Sequence, residues 1–487
     1  MRLASKAVLL VLIGSALASC SGTPGGGCIS NCSTGGSVSV VLTATPPPPT
    51  DALSLQAFTA TITGLTLTPS GGGSPVAIHL NSASYIAEFN RVTSDSTLIA
   101  SNISIPFGSY NQLTVTFSAP LVTFCTQSDP GVQGCANATL TTVKGGLPGS
   151  ATISTNLNIV DNALTGIALN VNLGNALTRT GQTITAVDLT VANVFSASTL
   201  PPAASATNLA STQLSHLDDI LGLVTGATST SITIQTSTRG SITASTNSST
   251  VFDCAAQNSS CVQTNQVAVM DAVLNSDGTI TATFFQPIID SGDLIEGVVT
   301  TVPDTISHTF SLVATDSVFA PSNSVLDGAL GLGDQMVVTL AGTVEPFVIV
   351  DKGLGNPTLP ANGFDGSTSI TSIHPGMTVL FPVTAYPAPS GTTPGAASTV
   401  SFALRFSRIT ATMANAVSPD FSVTGTALPP FFGITSNQLV RTNPGRLSID
   451  GAQTITAIPV GNTISTSALY LGPNSSPDFA AQSVRTH

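Results

Sequence analysis

The sequence predicts an all-β protein: an N-terminal β-sandwich, two or three small β-barrel-like units, and one short linker helix. Three observations carry this. Apolar and hydroxylated residues alternate with period two; Phe58, Ala60 and Ile62 interleave with Thr59, Thr61 and Thr63, the mark of half-buried strands. Turn signals rich in Gly, Pro, Asn and Asp recur about every 8–12 residues, as in sandwiches and small barrels. Charged residues make up only 7% of 487 residues, while hydrophobic ones reach 42%. That excludes disorder, which couples low hydrophobicity to high charge, and fits strands with uncharged outer faces.

The first 19 residues read as a signal peptide. Arg2 and Lys6 make a positive start, and Ala7 to Leu17 an apolar core too short for a bilayer, which needs about 20 apolar residues. The core ends in Leu17-Ala18-Ser19-Cys20, which resembles the lipobox of bacterial lipoproteins. The resemblance implies cleavage before Cys20 and acylation of its thiol and new amino terminus, giving a palmitate-type anchor. The partner it implies is a lipid bilayer, and the location the cell envelope. Ser21 in place of Asp points to the outer membrane by the sorting pattern of that family. Residues 20–37 are a Gly/Ser tether.

Residues 38–195 hold the sandwich. Strands begin at Val38 and continue through Leu65 and Leu67, Ile103 and Ile105, Leu113, Val115 and Phe117, Ile167 to Leu173, and Val187 to Val191. With Thr50-Asp51 and the turn Ile105-Pro-Phe-Gly-Ser-Tyr110, the stretch resembles an uncharacterised lipoprotein domain family of unknown function. That resemblance implies a lipid-distal position for the turn and brings no catalytic residues.

Residues 196–222 form a linker. Ala210, Leu214, Leu217 and Leu221 recur at spacings of 4, 3 and 4, which predicts a helix. Barrel-like units follow at 223–292 and 293–390, with a β-rich C-terminal unit at 398–487. Their repeated opening Gly-x-Val, Thr-rich strands and Asp277-Gly278 hairpin turn resemble uncharacterised tandem small β-barrels of bacterial exported proteins. Phe402, Leu404 and Phe406 are assigned to the C-terminal unit.

Seven cysteines are present. With Cys20 acylated, six remain in close pairs: Cys28/Cys32, Cys125/Cys135 and Cys254/Cys261. In an exported chain these read as local disulfides that pin loops. Metal binding is the rival reading, although the pairs lack C-x-x-C spacing and neighbouring His.

The net charge of −12 becomes −14 without Arg2 and Lys6, which argues against nucleic acid. No Trp is present, so flat platforms for sugars are scarce. The five histidines (His79, His216, His308, His374, His487) are far apart in sequence, and no nucleophile elbow, zinc-protease or phosphate-loop motif occurs. No enzyme and no cofactor is expected. Asp290, Asp293 and Glu296 form the densest acidic cluster; a solvated linker is preferred over a calcium loop. Asp218-Asp219 reads as the polar face of the linker helix. The expected role is non-catalytic binding or adhesion toward an envelope protein or polysaccharide; the alternative is a structural spacer or assembly component, and a secreted-type hydrolase is the least favoured reading.

Overall fold

Four β modules pack around a common centre. The computed structural model describes residues 35–49, 53–126, 132–135, 140–200, 209–289, 292–355, 358–391, 393–473, 475 and 477–487. The signal peptide, Cys20, Cys28, Cys32, Asp51 and Asp290 lie outside them.

The first module is a sandwich. One sheet orders Phe195–Thr199, Leu164–Asn172, Gly36–Thr45 and Thr97–Ile105. The other orders Leu140–Lys144, Leu121–Cys125, Ser54–Pro69, Gly108–Phe117 and Gly149–Ile159. Ser54–Pro69 is long enough to pair also with Val76–Ile78 and Tyr85–Glu88. The alternating residues of the two inner faces, among them Phe58, Ile62, Leu113, Val115, Leu169 and Val171, make one apolar core, as aligned sheet packing requires.

Three small barrels follow, and each repeats one strand scheme. The first runs Gln213–Ala227, Ser231–Thr236, Gly240–Ser245, Val267–Asn275 and Ile280–Ile289. The third runs Ser407–Val417, Asp420–Val423, Gln438–Thr442, Thr463–Tyr470 and Phe479–Thr486. In both, the opening strand pairs with the second and fourth, and the fourth pairs with the fifth. The third and fifth then close the barrel in parallel, at Ser245↔Thr281 and at Val440↔Phe479. Closure in this order, 1-2-3-5-4-1, is that of small OB-type barrels.

The middle barrel reaches the same end with a split fifth strand. Gly395–Thr399 pairs with Gln335–Leu340, and Ala403–Arg405 pairs with Thr378–Val383. Phe402 and Leu404 thus complete the second barrel, and the third begins at Ser407. This corrects their assignment to the C-terminal unit. The opening glycines have a steric reason. A Cβ at Gly222 would lie 2.4 Å from the Gln235 carbonyl oxygen, and one at Gly297 2.4 Å from that of Val313.

The expected linker helix is a strand. Gln213–Ala227 is the opening strand of the first barrel, and the helical segment is a single turn elsewhere, Leu173–Ala176. Of the expected stripe, Leu214 and Leu217 face the first barrel's core together with Ile220 and Val224; Leu221 packs in the separate cluster shared with the second barrel, and Ala210 is exposed ahead of the strand. Register shifts after Gln213 and between Leu217 and Ile220 insert extra residues into a period of two. The bulges put Leu214 and Leu217 on one face at a spacing a helix would also give, whereas Leu221 points to the other face. Asp219 occupies the second shift with a left-handed φ of 54°.

Both expected disulfides within the described residues form, Cys125–Cys135 and Cys254–Cys261. The first does more than pin its own loop. Cys125 and Cys135 are buried in the apolar core shared by the second and third barrels. The Cys135 N–H donates to the Thr300 carbonyl at 2.7 Å, and the Gly134 N–H to that of Phe431 at 2.6 Å. The sandwich thereby reaches across to both barrels.

Candidate functional site

In a chain this poor in charge, ten ionised side chains meet at the centre of the molecule, away from water. The loop after Tyr85–Glu88 supplies Arg91 and Asp95 from the sandwich. The first barrel supplies Asp219, Arg239 and Asp271, and the second Glu296, Asp316, Lys352 and Arg405. The third supplies Arg408. Five carboxylates face five cations.

Asp219 is the hinge of the arrangement. Its carboxylate accepts from Arg405 Nη2 at 2.7 Å, Arg91 Nη2 at 2.8 Å and Arg408 Nη2 at 2.6 Å. Glu296 accepts from Arg405 Nε at 2.9 Å and from Arg91 Nη1 at 3.3 Å. Asp316 joins Arg91 and Arg239, at 2.6 and 2.7 Å. Asp95 pairs with Arg408 at 2.6 Å, and Lys352 Nζ lies 2.6 Å from Asp271 Oδ1. The bulge at Asp219 turns its backbone inward too: the N–H donates to Asp271 Oδ1 at 2.8 Å, and the carbonyl accepts from Arg91 at 2.7 Å.

Burial alone would raise the Asp219 carboxyl, but the charges of Arg405, Lys352, Arg408 and Arg91 overcome it and hold the group well below the usual carboxylate range. Burial likewise works against the charge on Arg405, and Asp219 and Glu296 keep it protonated. Taking this many charges out of water is costly. A balanced network about breaks even against an apolar interior, whereas removing one partner costs about 3–5 kcal/mol. The network therefore adds little net stability while making the loss of any one partner costly.

The acidic residues singled out from sequence fall into separate roles. Asp293 is buried and caps a loop, accepting from the N–H groups of Ala320 and Val325 and the Ser324 hydroxyl at 2.6–2.7 Å. Glu296 belongs to the central network. This corrects the solvated-linker reading of both. Asp219 is a network carboxylate and not a helix face, while Asp218 beside it lines a cleft.

That cleft, of about 440 Å³, lies between the sandwich, the first barrel and the third. It brings together two of the five histidines, His216 and His487, with Asp218, Asp450 and Arg485. Arg485 donates to Asp450 at 2.9 Å and to the carbonyls of Val92 and Asp95 at 3.0 and 2.7 Å. Burial pushes the Asp218 carboxyl well up, helped by the nearby Asp271 and Asp95 charges. Burial, and then Arg485, lower the His487 imidazole to about 4; burial lowers His216 as well. Both rings are neutral at pH 7. His487 Nε2 lies 3.0 Å from Ser465 Oγ, but Ser465 is completely buried, so no substrate carbonyl can reach that hydroxyl. His79, just after Val76–Ile78, and His308, in a turn, are both exposed and lie in separate modules.

Sequence reading missed the network because its members span residues 91 to 408. A signal was nonetheless present. Glu296 sits within Leu-Ile-Glu-Gly-Val-Val, Asp271 between Met270 and Ala272, and Arg405 between Leu404 and Phe406. A charge inside an apolar strand marks a buried partner. No protein-family model matches this chain, and no curated protein matches it.

Proposed function

We propose that the chain is a lipid-anchored, non-catalytic protein of the bacterial cell envelope that acts as a rigid spacer or assembly component. The observation that carries this reading is the central charge network, to which all four modules contribute. An adhesion protein of independently presented domains has no need of such a lock, because interdomain motion is the default where interfaces are weak. Apolar clusters add to it: Leu221, Leu223 and Val267 of the first barrel pack against Leu294, Val350 and Leu380 of the second. Phenylalanine supports the same choice, since among the described residues Phe107 is the only one that stands among the exposed large hydrophobics. A Phe-rich binding face of the kind an adhesin would present is not built from the others.

The lipobox at Cys20 supports the envelope location, with the outer membrane favoured by Ser21. Growth with a clickable fatty acid tests the anchor: the native chain takes up label and Cys20→Ser does not. Labelling that persists in Cys20→Ser contradicts it. Small-angle scattering of the chain from Ser21 onward tests the spacer reading, which requires one rigid particle; a profile that demands several independently moving bodies contradicts it. The cleft favours a second reading, binding of a small polar ligand. A saturable ligand lost in Asp218→Asn would give that reading precedence.

A further inference from the structure

At one end of the sandwich, two apolar side chains stand in solvent next to the point where the chain enters. Phe107 is 61% exposed and Val160 53%. Gly108 pairs with Ile159, so Phe107 and Val160 occupy the next positions at the same end of one sheet. Pro106 and Ala163 beside them are exposed as well. Gly36 pairs with Ile105 at this end, and the Ser37 N–H donates to the Ala163 carbonyl at 2.9 Å. The turn that resemblance placed far from the lipid therefore lies beside the entry strand.

The two turns are held firmly. Tyr110, buried, donates its hydroxyl to the Pro106 carbonyl at 2.7 Å. The Asn162 N–H donates to the Gly35 carbonyl at 3.2 Å, and the Ala163 N–H to that of Val160 at 3.3 Å. Exposed Asp161 and Asn162 share the second turn, and single large apolar side chains such as Ile306 and Val460 are exposed elsewhere; this tip differs in pairing two of them on adjacent strands beside the entry strand.

Fourteen residues separate Cys20 from Gly35. A Gly/Ser-rich chain of that length spans on the order of 20 Å, so an acylated Cys20 keeps this end of the sandwich close to the bilayer at high local concentration. Residues 99–110 and 158–166 hold no Lys or Arg and one acidic residue, exposed Asp161, so electrostatics offers no attraction to anionic lipid, Asp161 has to stay at headgroup level, and apolar burial is the available contact. We propose that Phe107 and Val160 insert into the leaflet that holds the lipid anchor and set the tilt of the spacer on the membrane. The proposal rests on the lipid-anchored reading above.

The absence of Trp makes the test direct. Phe107→Trp places a single indole at the tip. Leu147→Trp places one at another exposed site, 89% accessible, beyond the opposite end of Gly149–Ile159 and roughly 35 Å away along the strand. Each acylated full-length protein is reconstituted into phosphatidylcholine vesicles with and without bromine on the acyl chains, and flotation is scored in parallel. Insertion by about 5–10 Å predicts that Phe107→Trp shifts to the blue and loses about half its emission to bromine, with Leu147→Trp unchanged. Flotation with equal, unquenched emission from both variants overturns the insertion while leaving the anchor intact. A full-length protein recovered from the bacterium without acyl chains on Cys20 overturns the anchor and the insertion together.

Discussion

The centre of this molecule and its outer faces invert the usual distribution of polarity. Five of the twelve Lys and Arg residues converge in the interior, where Arg405 is fully buried. The outward strand faces are dressed with hydroxyls instead. Thr114 and Thr152 meet across strands at 3.2 Å, and Thr233 and Thr243 at 2.9 Å. Charge gathers between the modules, where a mismatch is expensive, while the exposed charges sit mainly in turns and loops, such as Asp161, Asp277, Asp304 and Asp327, where a single pair contributes little. The difference teaches that low overall charge need not mean weak electrostatics; it depends on where the few charges sit.

The comparison breaks most severely at its centre. Asp219→Asn leaves Arg405, Arg91 and Arg408 without their shared acceptor. It is expected to cost about 3–5 kcal/mol in urea denaturation, and no loss would show the network to be incidental. Glu88 sharpens the same contrast through pH. Burial raises its carboxyl from 4.5 to about 7, against three backbone N–H donors, those of Phe58, Arg91 and Asn90. The folded protein keeps a proton there that the unfolded chain releases between those values. Stability then falls as pH rises from about 4.5 to about 7, by about 3 kcal/mol from this group. Glu88→Gln should flatten that slope. Asp219 works in the opposite direction: its contribution is present above the ordinary carboxylate range and is lost as pH falls through its lowered folded value.

The peripheral Cys254–Cys261 bridge closes a short loop outside the network. Replacing both residues with Ser should cost about 2 kcal/mol by loss of the loop constraint, without altering how the modules dock. At the far end of the scale, Thr233→Ala on the outer face should change stability by less than about 0.5 kcal/mol. A loss comparable to that of Asp219→Asn would erase the distinction between centre and surface.

The sequence made the strands legible and the centre illegible, for a common reason. Period-two alternation, the Gly-x-Val openings and the Asp-Gly turn are local, and local pattern decides whether a stretch is extended. Even there a bulge can mislead, as the opening strand of the first barrel shows: its bulges, one of which brings Asp219 inward, put Leu214 and Leu217 on one face at a spacing a helix would also give. The network depends on contacts between residues hundreds of positions apart, such as Arg91 with Asp316, which no local period encodes. The cleft shares this origin, since His216 and His487 come from different barrels and meet only after docking. The disulfides were legible as proximity in sequence, but the core into which Cys125 and Cys135 are packed was not.

Differential scanning calorimetry of the chain from Ser21 onward tests most directly whether the charged centre makes four modules into one unit. The native protein should unfold in a single transition with equal calorimetric and van't Hoff enthalpies, and Asp219→Asn should split it. Two or more resolved transitions in the native protein would show that the modules fold independently and that the network does not lock them.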